Sequence, residues 1–437
     1  MSCKSCDAGH FRSSLEYTCP SHGGWGMVRI GMLIPESHQI FVCPSACGRH
    51  GALGAIKQGL KNRLSYLYLE ESDVISGYDD AIYDAVEELL VRLQKRPKVI
   101  IVFVSCLDDL IGTDENAVMA ELSNRYPDVK FRMGHMNPIQ TDSDEPPLVS
   151  IWKNVYSLME RTVDTVKPAV NMLGNYVAID EKSEFIKVLK ELGIDVYHIE
   201  NLNTYEELKD MGNHALNILL TSAVEKVAGQ LEKEQNMAYL KAPVNYNLKE
   251  IKAGYQALFE KLAEIGQLGG SVSSERIEIP AKVEEILIDS EKRALSAIQK
   301  AKMLIGDRDI HIDYSAFVHP FSAAKFFYEN GFSIKKIYAK EMDENDADYQ
   351  WVKNETDIEI IPIKKHDIVH MWKEHEDSIS IGLEAAYVSG SRHVVSVFQD
   401  EKMYGYHGIC LLMEHLINCI KEDVDLEDVI NKAGLVV

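Results

Sequence analysis

Lys98 to Ser105 reads Lys-Val-Ile-Ile-Val-Phe-Val-Ser, a nearly continuous β-branched run stopped by Pro97 before it and Cys106 after it. It lacks the polar alternation of a strand with one wet face, so it belongs in a parallel sheet covered on both faces. Neighbouring parallel strands need long crossovers, usually helices. The same grammar recurs downstream. Asn171–Ile179 reads as a strand, Ser183 caps a helix ending at Gly193, and Ile194–Ile199 is the next strand. Strand Asp309–Asp313, a helix over Ser322–Asn330, Gly331 and strand Ser333–Ala339 repeat the order. Glycine at each helix exit supplies the left-handed turn that returns the chain to a sheet. The pattern implies repeated βαβ units.

A chain of 437 residues has room for roughly three such units. The expected fold is α/β, with three Rossmann-like domains whose parallel sheets surround a central cleft. Expected boundaries are 1–168, 169–282 and 283–437. Helices are expected at Ala52–Leu64, 80–94, Leu148–Val166, Leu248–Ile265, Val283–Leu304, Asp367–Glu376 and His407–Lys421. Further strands are expected at Ile358–Ile363, Ser378–Ile381 and His393–Phe398. No Walker A sequence is present, and no GxGxxG follows a strand. No apolar run reaches the ~20 residues of a membrane span. Met1–Asp7 lacks the apolar core of a signal peptide, so a cytoplasmic location with reduced thiols is expected. The net charge of −22 argues against a nucleic-acid partner.

Four of the eight cysteines fall between Tyr17 and Asp114. Cys19 precedes Pro20-Ser21-His22-Gly23-Gly24. Cys43 and Cys47 lie in Cys43-Pro44-Ser45-Ala46-Cys47-Gly48, and Cys106 ends the buried run. Each stands where a strand should end or a glycine-rich turn should begin. The carboxyl end of a buried strand is where open α/β sheets place ligands. Thiolates there suit iron–sulfur iron or zinc, although buried inert thiols are the competing reading. Cys3 and Cys6 form a lone CxxC, two of the four ligands that zinc usually needs. Cys410 and Cys419 lie in an apolar helix and read as core residues.

These cysteines resemble those of the nitrogenase component 1 superfamily, which includes protochlorophyllide reductase. Its members hold a cluster at a subunit interface with three cysteines. One precedes a glycine-containing stretch, one sits in a Cys-Gly turn entering a helix, and one follows a buried strand. Cys19, Cys47-Gly48 and Val104-Ser105-Cys106 take those places. The turn from Cys106 to Asp114 is similar to the family's, and Asn171-Met172-Leu173-Gly174, Tyr239–Pro243 and Phe398–Gly408 resemble later landmarks. The resemblance implies a cluster, 4Fe–4S or P-cluster-like, bound by Cys19, Cys47 and Cys106. Cys43, where relatives have glycine, is either a fourth ligand or an incidental small residue. It also implies an oxidoreductase subunit that takes electrons from an ATP-dependent iron-protein-type reductase. The implied assembly is a homodimer, or a heterodimer with a homologous subunit.

Two departures shape the expected chemistry. Nitrogenase anchors its metal cofactor with a cysteine in the second domain and a histidine near the C-terminus. This chain has no cysteine between Cys106 and Cys410, and Phe398 or Gln399 falls near the histidine position. A small organic substrate, such as a tetrapyrrole, is expected in that space instead, with Tyr246, His319 and His407 lining it. His319 and His407 are the expected proton donors, since histidine titrates near neutral pH. His22 and His50 flank the cluster cysteines. His366, His370 and His375 share one expected helix, where a solvated face competes with metal binding. The alternative function is a non-catalytic scaffold for metal-cofactor assembly, and a structural zinc protein is a third class.

Overall fold

A computed structural model of the protein describes residues 26–48, 51–52, 55–56, 59–136, 145–268, 279–340, 342–363 and 377–428. Three sheets carry them, and each strand pairing within the sheets is parallel. The first has the order β2-β1-β3-β4, with β1 Ser37–Cys43, β2 Leu64–Tyr68, β3 Val99–Ser105 and β4 Lys130–Met136. The second has the order β6-β5-β7-β8, with β5 Lys167–Leu173, β6 Asp195–His198, β7 His214–Leu219 and β8 Ala238–Lys241. The third runs β11-β10-β9-β12-β13, with β9 Asp309–Asp313, β10 Ser333–Ala339, β11 Glu359–Pro362, β12 Ile379–Ile381 and β13 His393–Val395. In each sheet the first strand in sequence lies inside, and strand order reverses beside it. Such reversals open a crevice at the carboxyl ends of the strands.

The continuous run of β3 is buried at every position, as its composition predicts. Ser183 caps the helix Glu184–Glu191, and Gly193 and Gly331 both take positive φ. β1 is equally buried but opens with Ser37, His38 and Gln39, so it does not advertise itself. Two of its polar side chains are satisfied locally: Ser37 Oγ donates to Ile34 O at 2.8 Å, and His38 Nε2 lies 2.9 Å from Ser65 Oγ. Burial pushes His38 down to about 4, which keeps the ring neutral. β7 hides in the same way. Asn171 Nδ2 donates to Asn217 Oδ1 at 2.8 Å, and His214 Nδ1 sits 2.6 Å from Asn171 Oδ1.

Several expected elements differ. The helix expected over Ala52–Leu64 gives way to a 3-10 turn at Lys61–Arg63 and then to strand β2. Arg63 reaches back to β1, donating to Ser37 O at 2.9 Å and Ser37 Oγ at 2.5 Å, and that anchor sets the new direction. The helix expected over Leu148–Val166 is Pro147–Tyr156. Beyond it Arg161 is tied to the carbonyls of Gly212, His214 and Asn236 at 3.1, 3.1 and 2.8 Å, which a continuing helix could not reach. Strand β5 starts earlier than expected and stops before Gly174, whose φ is +106°. The expected strand His393–Phe398 closes at Val395. Asp367–Glu376, with His366, His370 and His375, lies outside the described residues.

Two large cores bind the sheets together. One joins the first and second sheets through Phe41, Phe103, Trp152, Tyr156 and Met211. Another joins the second and third through Phe185, Tyr255, Phe317, Phe327 and Leu412. Each large side chain buried in this way contributes about 1.5–3 kcal/mol.

Candidate functional site

Cys43 is the last residue of β1, and Cys106 follows the last residue of β3. These neighbouring strands pair Val42 with Val104, which puts Cys43 level with Ser105. Strand order reverses between β1 and β3, so both cysteines stand at the ligand crevice of the first sheet. Cys47 lies four residues beyond Cys43 in the 3-10 turn Ser45–Cys47, whose backbone closes through Cys47 N–H to Pro44 O at 2.9 Å. Cys19, His22 and His50 lie outside the described residues. Among the described residues, no group of three or more His, Cys, Asp or Glu side chains is placed to hold a metal ion.

The thiols differ in environment. Cys43 is fully buried and packs in the core beside Phe41 and Phe103. Burial, helped by neighbouring Cys47, pushes its thiol up to about 11, so without a metal it stays protonated. Cys47 is half-buried and Cys106 exposed. Among the described residues the accessible thiols at this end of the sheet are Cys47 and Cys106, and soft thiolates at an accessible strand end fit iron–sulfur iron. Cys43 is enclosed in the core.

Gly48 explains the Cys-Gly pair. A Cβ there would lie 2.7 Å from the Tyr66 ring, and Tyr66 Oη donates to Gly48 O at 2.5 Å. Tyr66 stacks on Tyr68 with centroids 5.4 Å apart. The backbone after Cys47 is thus pressed flat on an aromatic pair, a close approach that only glycine allows. Exposed apolar side chains surround this edge. Tyr68 ends β2, Ile75 lies in the helix Glu71–Ser76, and Leu110 lies in the helix Asp108–Ile111 after Cys106.

A polar layer lies beside Cys106. Buried Asp108 accepts a hydrogen bond from Tyr78 Oη. His135, near the end of β4, stands 3.2 Å from Glu115 and 3.9 Å from both Asp108 and Asp109. The Glu115 hydrogen bond and these carboxylates raise its pKa. Sequence reasoning overlooked His135; the polar–apolar alternation of Lys130-Phe131-Arg132-Met133 was the available signal for its strand.

The other candidate residues stand on separate elements of the second and third units. His319 is exposed at the head of the helix Pro320–Glu329. His407 Nε2 lies 3.1 Å from Asp180 Oδ1, and its backbone N–H donates to Glu184 Oε2 at 2.9 Å. Glu184 is buried and also takes Tyr406 N–H at 2.6 Å and Tyr255 Oη at 2.8 Å. It thereby supplies negative charge at the N-terminus of the helix Gly405–Cys419. Tyr246 is buried, its hydroxyl donating to Asp400 Oδ1 at 2.6 Å. Asp400 Oδ2 accepts from Val318 N–H at 2.8 Å. Gln399, Asp400 and Lys402 all have positive φ, so this turn is strained and held by its contacts. No thiol lies between residues 237 and 246, where β8 ends.

The family described as nitrogenase component 1 type oxidoreductase matches residues 23–421. The nitrogenase iron-molybdenum cofactor biosynthesis protein NifE of Clostridium pasteurianum is 25% identical over 228 residues, covering 50% of this chain and 48% of that protein. NifE of Bradyrhizobium diazoefficiens is 22% identical over 237 residues, covering 54% of this chain and 41% of that protein. The matches thus span half or less of the length of these curated relatives. A solved structure described as nitrogenase Cp1 at pH 6.5 superposes with a TM-score of 0.69 over 94% of each chain, at 16% identity. That likeness establishes the three-sheet fold.

Proposed function

The chain belongs to the nitrogenase component 1 type oxidoreductases, and on that premise we propose that it is the electron-accepting subunit of a two-component reductase. Cys19, Cys47 and Cys106 would hold an iron–sulfur cluster of 4Fe–4S or P-cluster-like type, and Cys43 would be either a fourth ligand or an incidental small residue. When bound, the cluster supplies one-electron transfer. An ATP-dependent iron-protein-type reductase would deliver the electrons, and a small organic substrate would receive them in a cytoplasmic setting. The division into domains at 1–168, 169–282 and 283–437 belongs to the same reading. Among the described residues no helix is long and apolar enough to cross a membrane.

The single observation that carries this reading is the pair of thiols at the reversal point of the first sheet, Cys47 half-buried and Cys106 open. The apolar side chains around that edge support a second subunit there, either another copy or a homologue, which could complete the cluster's ligands. His407 would hold a proton on Nε2 against Asp180, and His319 would offer one from the exposed head of its helix. With no thiol between residues 237 and 246 and Phe398 in the C-terminal turn, an organic substrate is favoured over a cysteine-anchored metal cofactor.

A second reading, a scaffold on which a metal cofactor is assembled, is favoured by the names of the curated relatives. Anaerobic purification with the partner reductase separates the two. The reductase reading expects brown protein, iron and sulfide in cluster stoichiometry, no molybdenum or vanadium, and steady ATP-dependent turnover. A heterometal at about one per chain, released to an acceptor protein without turnover, would establish the scaffold. Colourless, iron-free protein would remove both.

A further inference from the structure

We infer that the cavity between β8 and the helix Leu248–Glu264 binds a neutral, apolar molecule of one or two rings. As a substrate site it rests on the reductase reading above; as a binding site it does not. The cavity holds about 250 Å³, and Phe185, Ile218, Leu240, Ile251, Leu258 and Tyr404 form its walls. Phe185 and Tyr404 meet edge to face with centroids 4.9 Å apart, so one side presents aromatic surface. The turn bearing Tyr404 and Gly405 closes it from the third sheet's side.

Gly254 makes this more than a packing gap. It lies inside the helix Leu248–Glu264 and lines the cavity. A Cβ added there would meet nothing within 4 Å. Glycine inside a helix is less favourable than alanine, and here no steric conflict demands it. The helix carries no side chain at this solvent-open wall position, where one would project into the space.

Charge and size set the ligand class. At the rim, Lys241 Nζ sits 2.5 Å from Glu225 Oε2, and the Asn245 amide donates to Glu250. Lys241 is thus paired, and Glu250 leaves the rim with negative charge that disfavours an anionic ligand. Below, Tyr255 Oη is committed to Glu184. What remains for a ligand is apolar wall. An apolar space of about 150 Å³ accepts one benzene ring, so this solvent-open one has room for a second fused ring. An intact tetrapyrrole macrocycle is too large for it, which narrows the organic substrates the chain could seat here.

Indole is the probe, titrated calorimetrically into the full-length protein, with iron measured on the same samples. Saturable binding at about one molecule per chain and a rise in melting temperature are expected. Gly254→Leu should stay folded, melt no lower than the parent without indole, and bind indole about tenfold more weakly or worse. Ala242→Leu blocks the cavity from another wall and guards against a folding defect in the first variant. Absence of saturable binding in the parent, or parental affinity in both variants, overturns the inference. Displacement of indole by a protoporphyrin overturns the size limit. Loss of iron with intact indole binding counts against the cluster alone, and intact iron without indole binding counts against the cavity alone.

Discussion

The guanidinium of Arg29 lies 2.6 Å from Glu401 Oε1, joining the helix Gly26–Leu33 of the first sheet's unit to the strained turn after β13. The same guanidinium covers the Tyr176 ring at 4.8 Å, and Tyr176 packs on Phe398 with centroids 5.9 Å apart. Tyr176 follows β5, so residues from all three sheets' units converge on one contact. Both ion-pair partners are partly shielded from solvent. A double-mutant cycle with Arg29→Met and Glu401→Gln should give a coupling energy of about 1 kcal/mol in denaturant unfolding. Coupling within error of zero would mean that the three units dock without it.

Gly48→Ala should disturb the cysteine edge by overpacking. The new methyl would sit 2.7 Å from the Tyr66 ring, and such overpacking costs about 1–3 kcal/mol. The expected outcome is a lower melting temperature together with reduced iron content in anaerobically prepared protein. Unchanged values for both would show that the Cys47 turn moves freely away from Tyr66.

Cys106→Ala removes the most accessible donor. If Cys106 is a ligand, visible absorbance and iron should fall to background while the apparent stability of the apoprotein stays within about 0.5 kcal/mol, because the side chain is exposed. Cys43→Ala should do the reverse, lowering stability by about 1–2 kcal/mol for the lost buried thiol and leaving most iron in place. Equal iron loss in both would promote Cys43 to a ligand.

Burial raises Asp400 from its ordinary range to about 6. Between pH ~4 and ~6 the native state therefore binds more protons than the unfolded state. Stability from this group is greatest at the acid end and falls as pH rises through about 6. Asp400→Asn should remove a difference of order 2–3 kcal/mol between pH 4 and pH 7, read as parent minus variant in urea unfolding. Asp313, also raised to about 6 by burial and neighbouring Glu384, acts in the same direction and stays in both proteins. A variant with the parent's pH slope would show that Asp400 is ionised across this range.

Ile75 and Leu110 are 87% and 85% exposed at the cysteine edge. If that edge meets a second subunit, Ile75→Glu with Leu110→Glu should convert the assembly to monomers by light scattering and lower the iron bound per chain. An unchanged assembly mass would move the interface elsewhere.

The local signals in the chain were enough to specify a parallel α/β protein. A β-branched run such as Val99–Ser105 has no stable place except between two covered faces, and Gly193 and Gly331 mark helix exits by backbone chemistry that needs no neighbour. The same signals put Cys106 at a strand end, because it follows its apolar run directly. β1 and β7 were not legible, since His38, Asn171, Asn217 and His214 become buried only when partners from other strands satisfy them. Tertiary structure alone decided that Cys43 is enclosed while Cys106 is open, although both end strands of the same sheet. It also brought Arg29 to Glu401, and left the space over Gly254 empty. Those outcomes depend on which distant surfaces pack together, and no periodicity along the chain encodes the distance between two side chains hundreds of residues apart.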